Sequence, residues 1–222
     1  MGSPAFDEGR LYFGVGPAFY ALDALTGEEQ WKVQRETWFY GTAVANGLIY
    51  VGNDDGYLYA LDQSTGEEIW KSNVAGMGWS APAIANDVVF VGNIDQHIYA
   101  LDAHSGAELW KTEVEDWASA DPVVSDGVVY VGNGNHEMRE GQRHLYALDA
   151  QTGAELWKFL ADARLLMAPA LSTDKIYIVT TLGTLYALEA KPATSTVTAI
   201  HHGEGGRAGD AHVGPHSSVP GV

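Results

Sequence analysis

The chain has 222 residues, 46% of them hydrophobic and 18% charged, with a formal net charge of -17 and no cysteine. This is the composition of a folded chain with a sizeable core, not of a disordered one. Its acidity repels phosphate backbones and excludes nucleic acid as a partner, the lack of cysteine excludes disulfides and thiolate chemistry, and no apolar run approaches the ~20 residues of a membrane span.

Met1-Gly2-Ser3-Pro4 lacks the basic and apolar regions of a signal peptide and reads as a cut edge. A repeat begins at once. The first unit, about 3–33, holds Arg10-Leu-Tyr-Phe-Gly14 and then the phrase Tyr20-Ala-Leu-Asp-Ala-Leu-Thr-Gly-Glu-Glu-Gln-Trp31-Lys32. The second, about 39–72, carries Leu48-Ile-Tyr-Val-Gly-Asn53 and repeats the phrase from Tyr59 to Lys71. The third, about 79–112, starts near Pro82, contains Val88-Val-Phe-Val-Gly-Asn93 and repeats the phrase from Tyr99 to Lys111. The fourth, about 117–159, starts near Pro122, contains Val128-Val-Tyr-Val-Gly-Asn133 and ends its phrase at Lys158. It also carries an insertion, residues 134–143, so that Trp110 to Trp157 spans 47 residues where Trp70 to Trp110 spans 40. The fifth, about 166–190, reaches Tyr186-Ala-Leu-Glu189 and lacks the Thr-Gly-x-x-x-Trp segment. Residues 191–222 form a Gly-, Ser- and His-rich tail that reads as a non-native extension, although the alternation of Thr196-Val-Thr-Ala-Ile200 suits it to stand in for the missing strand.

Each unit reads as four short strands separated by Gly and Asp turns, and no 3.6-residue period competes. Repeats of about 40 residues with four strands apiece are the signature of propeller blades. The predicted fold is therefore all-β: a β-propeller of five four-stranded blades, the last incomplete. Either it closes as a five-bladed ring, or it forms an open arc that a second copy completes as a homodimer. Asp23, Asp62, Asp102 and Asp149 suit an Asx-type turn after the third strand, and the glycine four residues later supplies a positive φ. Trp31, Trp70, Trp110 and Trp157 are predicted structural wedges between blades. Each buries about 150–250 Å², an upper bound of roughly 4–6 kcal/mol.

The phrase Ala-x-Asp-x-x-Thr-Gly-x-x-x-Trp resembles the tryptophan-docking motif of PQQ-like, or quinoprotein-type, propellers. The resemblance covers about residues 3–190. It implies a piece of a larger propeller, since such rings usually have seven or eight blades. That family includes quinone-dependent alcohol dehydrogenases. It also includes cofactor-free repeat proteins, among them the propeller lipoprotein of the bacterial outer-membrane protein assembly machinery. A periplasmic or extracytoplasmic setting follows from the resemblance alone. The dehydrogenase chemistry needs a full ring, a quinone and a calcium cage. With too few blades and no dehydrogenase carboxylate motif, PQQ is not expected as a cofactor.

Three sets of candidate site residues emerge. His136, Glu137 and His144, with Glu140, lie in or beside the insertion, and His with carboxylate at short spacing suits a divalent metal. The bland alternative is a solvated loop. Asn53, Asn93 and Asn133 occupy one repeat position and Asp121 precedes an inner strand, so a ring of them can face a small ligand or cation in the channel. The bland alternative is that they end strands. Trp38, Trp79 and Trp117 lie between units and suit either a binding face or a second packing layer. The favoured function is a non-catalytic module that binds a protein or small ligand on a propeller face. The alternative is a metal-dependent or promiscuous hydrolase with its site in the channel or the 134–144 loop.

Overall fold

The computed structural model describes residues 4–76, 80–134 and 143–189, together with the backbone of residues 200–202. Five four-stranded antiparallel sheets follow one another along the chain, each with its strands in sequence order. Blade 1 holds β1 (Ala5–Asp7), β2 (Arg10–Val15), β3 (Ala18–Asp23) and β4 (Glu29–Gln34). Blade 2 holds β5 (Phe39–Ala45), β6 (Leu48–Asn53), β7 (Tyr57–Asp62) and β8 (Glu68–Asn73). Blade 3 holds β9 (Ala83–Ala85), β10 (Val88–Gly92), β11 (His97–Asp102) and β12 (Glu108–Glu113). Blade 4 holds β13 (Val123–Ser125), β14 (Val128–Gly132), β15 (His144–Asp149) and β16 (Glu155–Leu160). Blade 5 holds β17 (Ala170–Leu171), β18 (Lys175–Val179), β19 (Leu185–Glu189) and β20 (Ile200–His202). Among the described residues no helix is long and apolar enough to cross a membrane.

The fifth sheet thus has a fourth strand, which departs from the expected incomplete blade. Its backbone pairs Ala187 with Ile200 and Leu185 with His202. Within the described residues the strand begins at Ile200, the last residue of the alternating stretch 196–200. Residues 190–199 and 203–222 are outside the described residues, as is most of the tail.

Alternation explains how the blades stack. In β6 and β7, Ile49 and Val51 pair with Leu61 and Tyr59 on one face, and these pack against Tyr12, Phe19 and Phe39 of the preceding side. Tyr50, Leu58 and Ala60 point the other way, against Val89, Val91, Tyr99 and Leu101 of blade 3. The same sandwich recurs between blades 3 and 4 and between blades 4 and 5. The core is therefore four inter-blade slabs, one per junction, each closed by sheet-on-sheet packing.

The two end faces have no such cover among the described residues. Ile49, Val51, Tyr59 and Leu61 are buried in blade 2, but their counterparts in blade 1, Leu11, Phe13, Tyr20 and Leu22, are only half-buried. At the other end Leu145 is fully buried in blade 4, while its counterpart Leu185 is exposed, and so is Val179. The described blades form an open arc.

Candidate functional site

A bulge aims each tryptophan. Ala60 pairs with Trp70 but Leu61 pairs with Glu68, so Ile69 is the extra residue of a β-bulge. The same shift occurs in blades 1, 3 and 4. The bulge turns the indole inward and leaves Ile69, Leu109 and Leu156 exposed. The indole of each of the first three blades then lies flat on the turn glycine of the next. A Cβ on Gly106 would sit 2.5 Å from Trp70 Cε3, and Gly66 and Gly153 meet Trp31 and Trp110 in the same way. The indole N–H groups donate to the next blade: Trp31 to Gln63 O at 3.2 Å, Trp70 to Ala103 O at 3.0 Å and Trp110 to Ala150 O at 3.1 Å. Trp157 packs at the junction of blades 4 and 5 beside Tyr130, ring centroids 6.0 Å apart.

The turn aspartates are held ionised. Asp62 Oδ1 accepts from Ser64 N and Thr65 N, both at 2.9 Å, and from the Ser64 and Thr65 hydroxyls. These bonds keep its carboxyl below the ordinary range, the Ser64 hydroxyl foremost. Asp23 is lowered chiefly by the Thr26 backbone N–H. Asp102 and Asp149 are lowered chiefly by the hydroxyls of Ser105 and Thr152.

Asn53, Asn93 and Asn133 are all fully buried and do not face an open channel. Asn53 Oδ1 accepts from the Thr37 hydroxyl and Asp55 N, and its amide donates to Thr37 O. Asn93 donates to Val74 O and accepts from Ile94 N. Asn133 Oδ1 accepts from His144 N at 2.6 Å. Two of the three clamp the incoming linker to the end of the second strand. The preceding glycine admits the outgoing linker instead: a Cβ on Gly92 would lie 2.3 Å from Ala118 O. Asp121 does sit near the inner strands. Its carboxylate accepts from Ala81 N at 2.6 Å, and burial pushes its carboxyl above the ordinary range despite that bond.

In blades 2 and 3 an aspartate before the third strand braces the tyrosine: Tyr99 donates to Asp95 Oδ2 at 2.6 Å, and Tyr59 to Asp55. Blade 4 has its insertion there, and a different group takes over. Glu115 N donates to the Tyr146 hydroxyl at 3.1 Å. The Glu115 carboxylate accepts from Lys158 Nζ at 2.6 Å and lies 3.1 Å from His144 Nδ1, off the line of a hydrogen bond. His144 is buried, and desolvation holds its imidazole below the ordinary range against the upward pull of Glu115. His136, Glu137 and Glu140 lie outside the described residues, as does Trp79. Among the described residues no three His, Asp or Glu side chains converge on a cation position.

The imidazole predicts a pH response. The unfolded chain binds a proton at His144 near pH 6.5, while the folded chain resists it to lower pH. The contribution of neutral His144 is therefore complete above about pH 6.5 and is lost as pH falls below it. Melting temperature should fall more steeply from pH 7.5 to 5.5 in the wild type than in His144→Tyr, which places there the residue type that Tyr57 supplies in blade 2.

The two faces of the arc differ. One carries the hairpin tips between first and second strands and the Asp-x-x-Thr-Gly turns. The other carries the loops between second and third strands, the blade-to-blade linkers and the insertion. Val15, Trp38, Ile94, Leu160, Met167 and Leu182 are exposed on this second face, Met167 and Leu182 by more than 70%. A cavity of about 240 Å³ opens there between blades 4 and 5, lined in part by Arg164 and Leu182. Equivalent repeats hid this patch from sequence reasoning, because its apolar residues occupy different repeat positions. The signal was Trp38 between units.

A family described as outer membrane protein assembly factor BamB matches residues 1–71 and 95–196. No curated protein sequence matches the chain. Among solved structures, BamB from Moraxella catarrhalis is 20% identical with a TM-score of 0.71, covering 91% of this chain and 64% of that one. Quinohemoprotein alcohol dehydrogenase from Comamonas testosteroni is 20% identical with a TM-score of 0.72, covering 90% and 42%. The computationally designed Ika8 protein is 18% identical with a TM-score of 0.73, covering 96% and 62%. The chain spans less than two thirds of each of these structures, and the likeness is one of fold.

Proposed function

Because the chain belongs to the family of outer membrane protein assembly factor BamB, we propose that it is a non-catalytic scaffold that binds protein outside the cytoplasm, in outer-membrane protein assembly. The observation that supports this reading is the apolar face. Six large hydrophobic side chains are exposed on the loops and strand ends of one face, whereas the turns of the opposite face are mostly Asn, Asp, Thr and Gly, with Leu25 exposed among them. Exposed apolar groups gathered on one side mark interaction surfaces. The likeness to the dehydrogenase is one of fold, and a shared fold does not by itself carry a shared site.

The probe is a urea-unfolded outer-membrane β-barrel polypeptide, labelled and diluted into buffer with the protein. Fluorescence anisotropy should report saturable binding. The pair Trp38→Glu and Met167→Glu should weaken it by about tenfold or more, the loss of one or two apolar anchors. Leu25→Glu, at the most exposed apolar residue of the opposite face, should leave it unchanged. Equal effects from both faces, or no binding, would refute the proposal.

A further inference from the structure

The hairpin tips on the polar face are strapped together at two junctions. Between blades 1 and 2, Gln63 donates to Asp7 Oδ2 at 2.7 Å. Between blades 2 and 3, Asn46 donates to Asp87 Oδ1 at 3.2 Å, and beneath this strap the Tyr50 hydroxyl donates to Ala103 O at 3.2 Å. Between blades 3 and 4 the repeat places Asn86 opposite Gly127, which has no side chain to receive it. Phe90 stands where Tyr50 stood, and Val88 and Val124 replace the larger Leu48 and Ile84. Four changes thus remove volume at one junction. A cavity of about 480 Å³ opens there, with Phe90, Val88 and Val124 at its base and Asn86, Asp126, Asp149 and Gln151 around it.

We infer that this cleft between blades 3 and 4 is a binding site for a small organic cation with an apolar body. Its volume is that of a small-molecule site. The base is aliphatic and aromatic, and Phe90 lies 5.8 Å from Trp110, ring centroid to centroid, so its ring is backed by a second one. The wall carries two carboxylates and no cationic side chain. Asp149 stays ionised well below neutral pH, chiefly through the Thr152 hydroxyl. An apolar body on the base places an ammonium or guanidinium group beside the carboxylates, where charge favours it. The site is distinct from the protein-binding face and does not depend on it.

Phenethylammonium chloride is the probe, 2-phenylethanol its neutral counterpart, and Trp110 fluorescence or calorimetry the readout. The cation should bind saturably in the millimolar range or tighter, and the alcohol about tenfold more weakly or not at all. Asp126→Asn keeps the left-handed backbone of this position, φ 50°, which Asn tolerates, and should weaken the cation several-fold without moving the alcohol. Phe90→Tyr with Gly127→Asn restores the hydroxyl and the strap, adds no charge, and finds open space at Gly127. It should abolish binding of both while keeping the melting temperature. No saturable signal, equal affinity for cation and alcohol, or undiminished binding by the strapped variant would each overturn the inference.

Discussion

Trp70→Ala is expected to lower the free energy of unfolding by about 3–5 kcal/mol, the range for truncating a large aromatic in a packed core. Trp70 is the most enclosed of the docking tryptophans, 9% exposed. It belongs to the slab between blades 2 and 3, stands beside Tyr50 at 5.9 Å between centroids, and donates to Ala103 O. Its removal leaves a cavity, takes one of two donors from the Ala103 carbonyl and loosens Tyr50, the other donor. The sheets are rigid on both sides, so little collapse can fill the space. Urea denaturation followed by far-ultraviolet circular dichroism measures the change. A loss below about 1 kcal/mol would mean the indole is a surface ornament of the blade rather than its lock.

The second large effect is at the glycine beneath that indole. Gly106→Ala should cost about 2–5 kcal/mol: about 1–2 for the left-handed backbone and about 1–3 for overpacking. The backbone cost follows from φ 71°, and the overpacking from a Cβ 2.5 Å from the Trp70 ring. Gly27 supplies the internal control. It has the same turn at φ 74° and nothing within 4 Å of the added atom, because no tryptophan of a preceding blade lies on it. Gly27→Ala should therefore show the backbone cost alone. In a Trp70→Ala background the excess at Gly106 should vanish, a non-additivity that isolates the contact. Equal costs at Gly27 and Gly106 would remove the interlock from the account.

The repeat was legible because the turn and the wedge each demand particular residues. Only glycine serves both a positive φ and a flat seat for an indole, so Gly66, Gly106 and Gly153 recur without substitution, as does the tryptophan four residues on. The β-bulge was not legible, because Ile69, Leu109 and Gln30 look like any alternating strand residues until Trp pairs opposite Ala. The asparagines illustrate a different limit. Repetition places Asn53, Asn93 and Asn133 at the same position in successive blades, but it does not give depth. Whether such a side chain faces the channel or the linker depends on where the chain enters the next blade, and here the linker crosses directly over it. The apolar face and the cleft arise from differences between repeats, such as Gly127 where blade 3 has Asp87. A reading that searches for sameness passes over them.

The central claim is an arc of blades locked through four slabs and open at both ends. Amide hydrogen exchange resolved by blade tests it most directly, since protection follows local burial and hydrogen bonding. The account predicts the slowest exchange in β6, β7, β10, β11, β14 and β15, with markedly faster exchange in β2 and β3 at one end and β18 and β19 at the other. Protection in blades 1 and 5 equal to that of blade 3 would mean that the end faces are covered, by ring closure or by a second copy, and would contradict it.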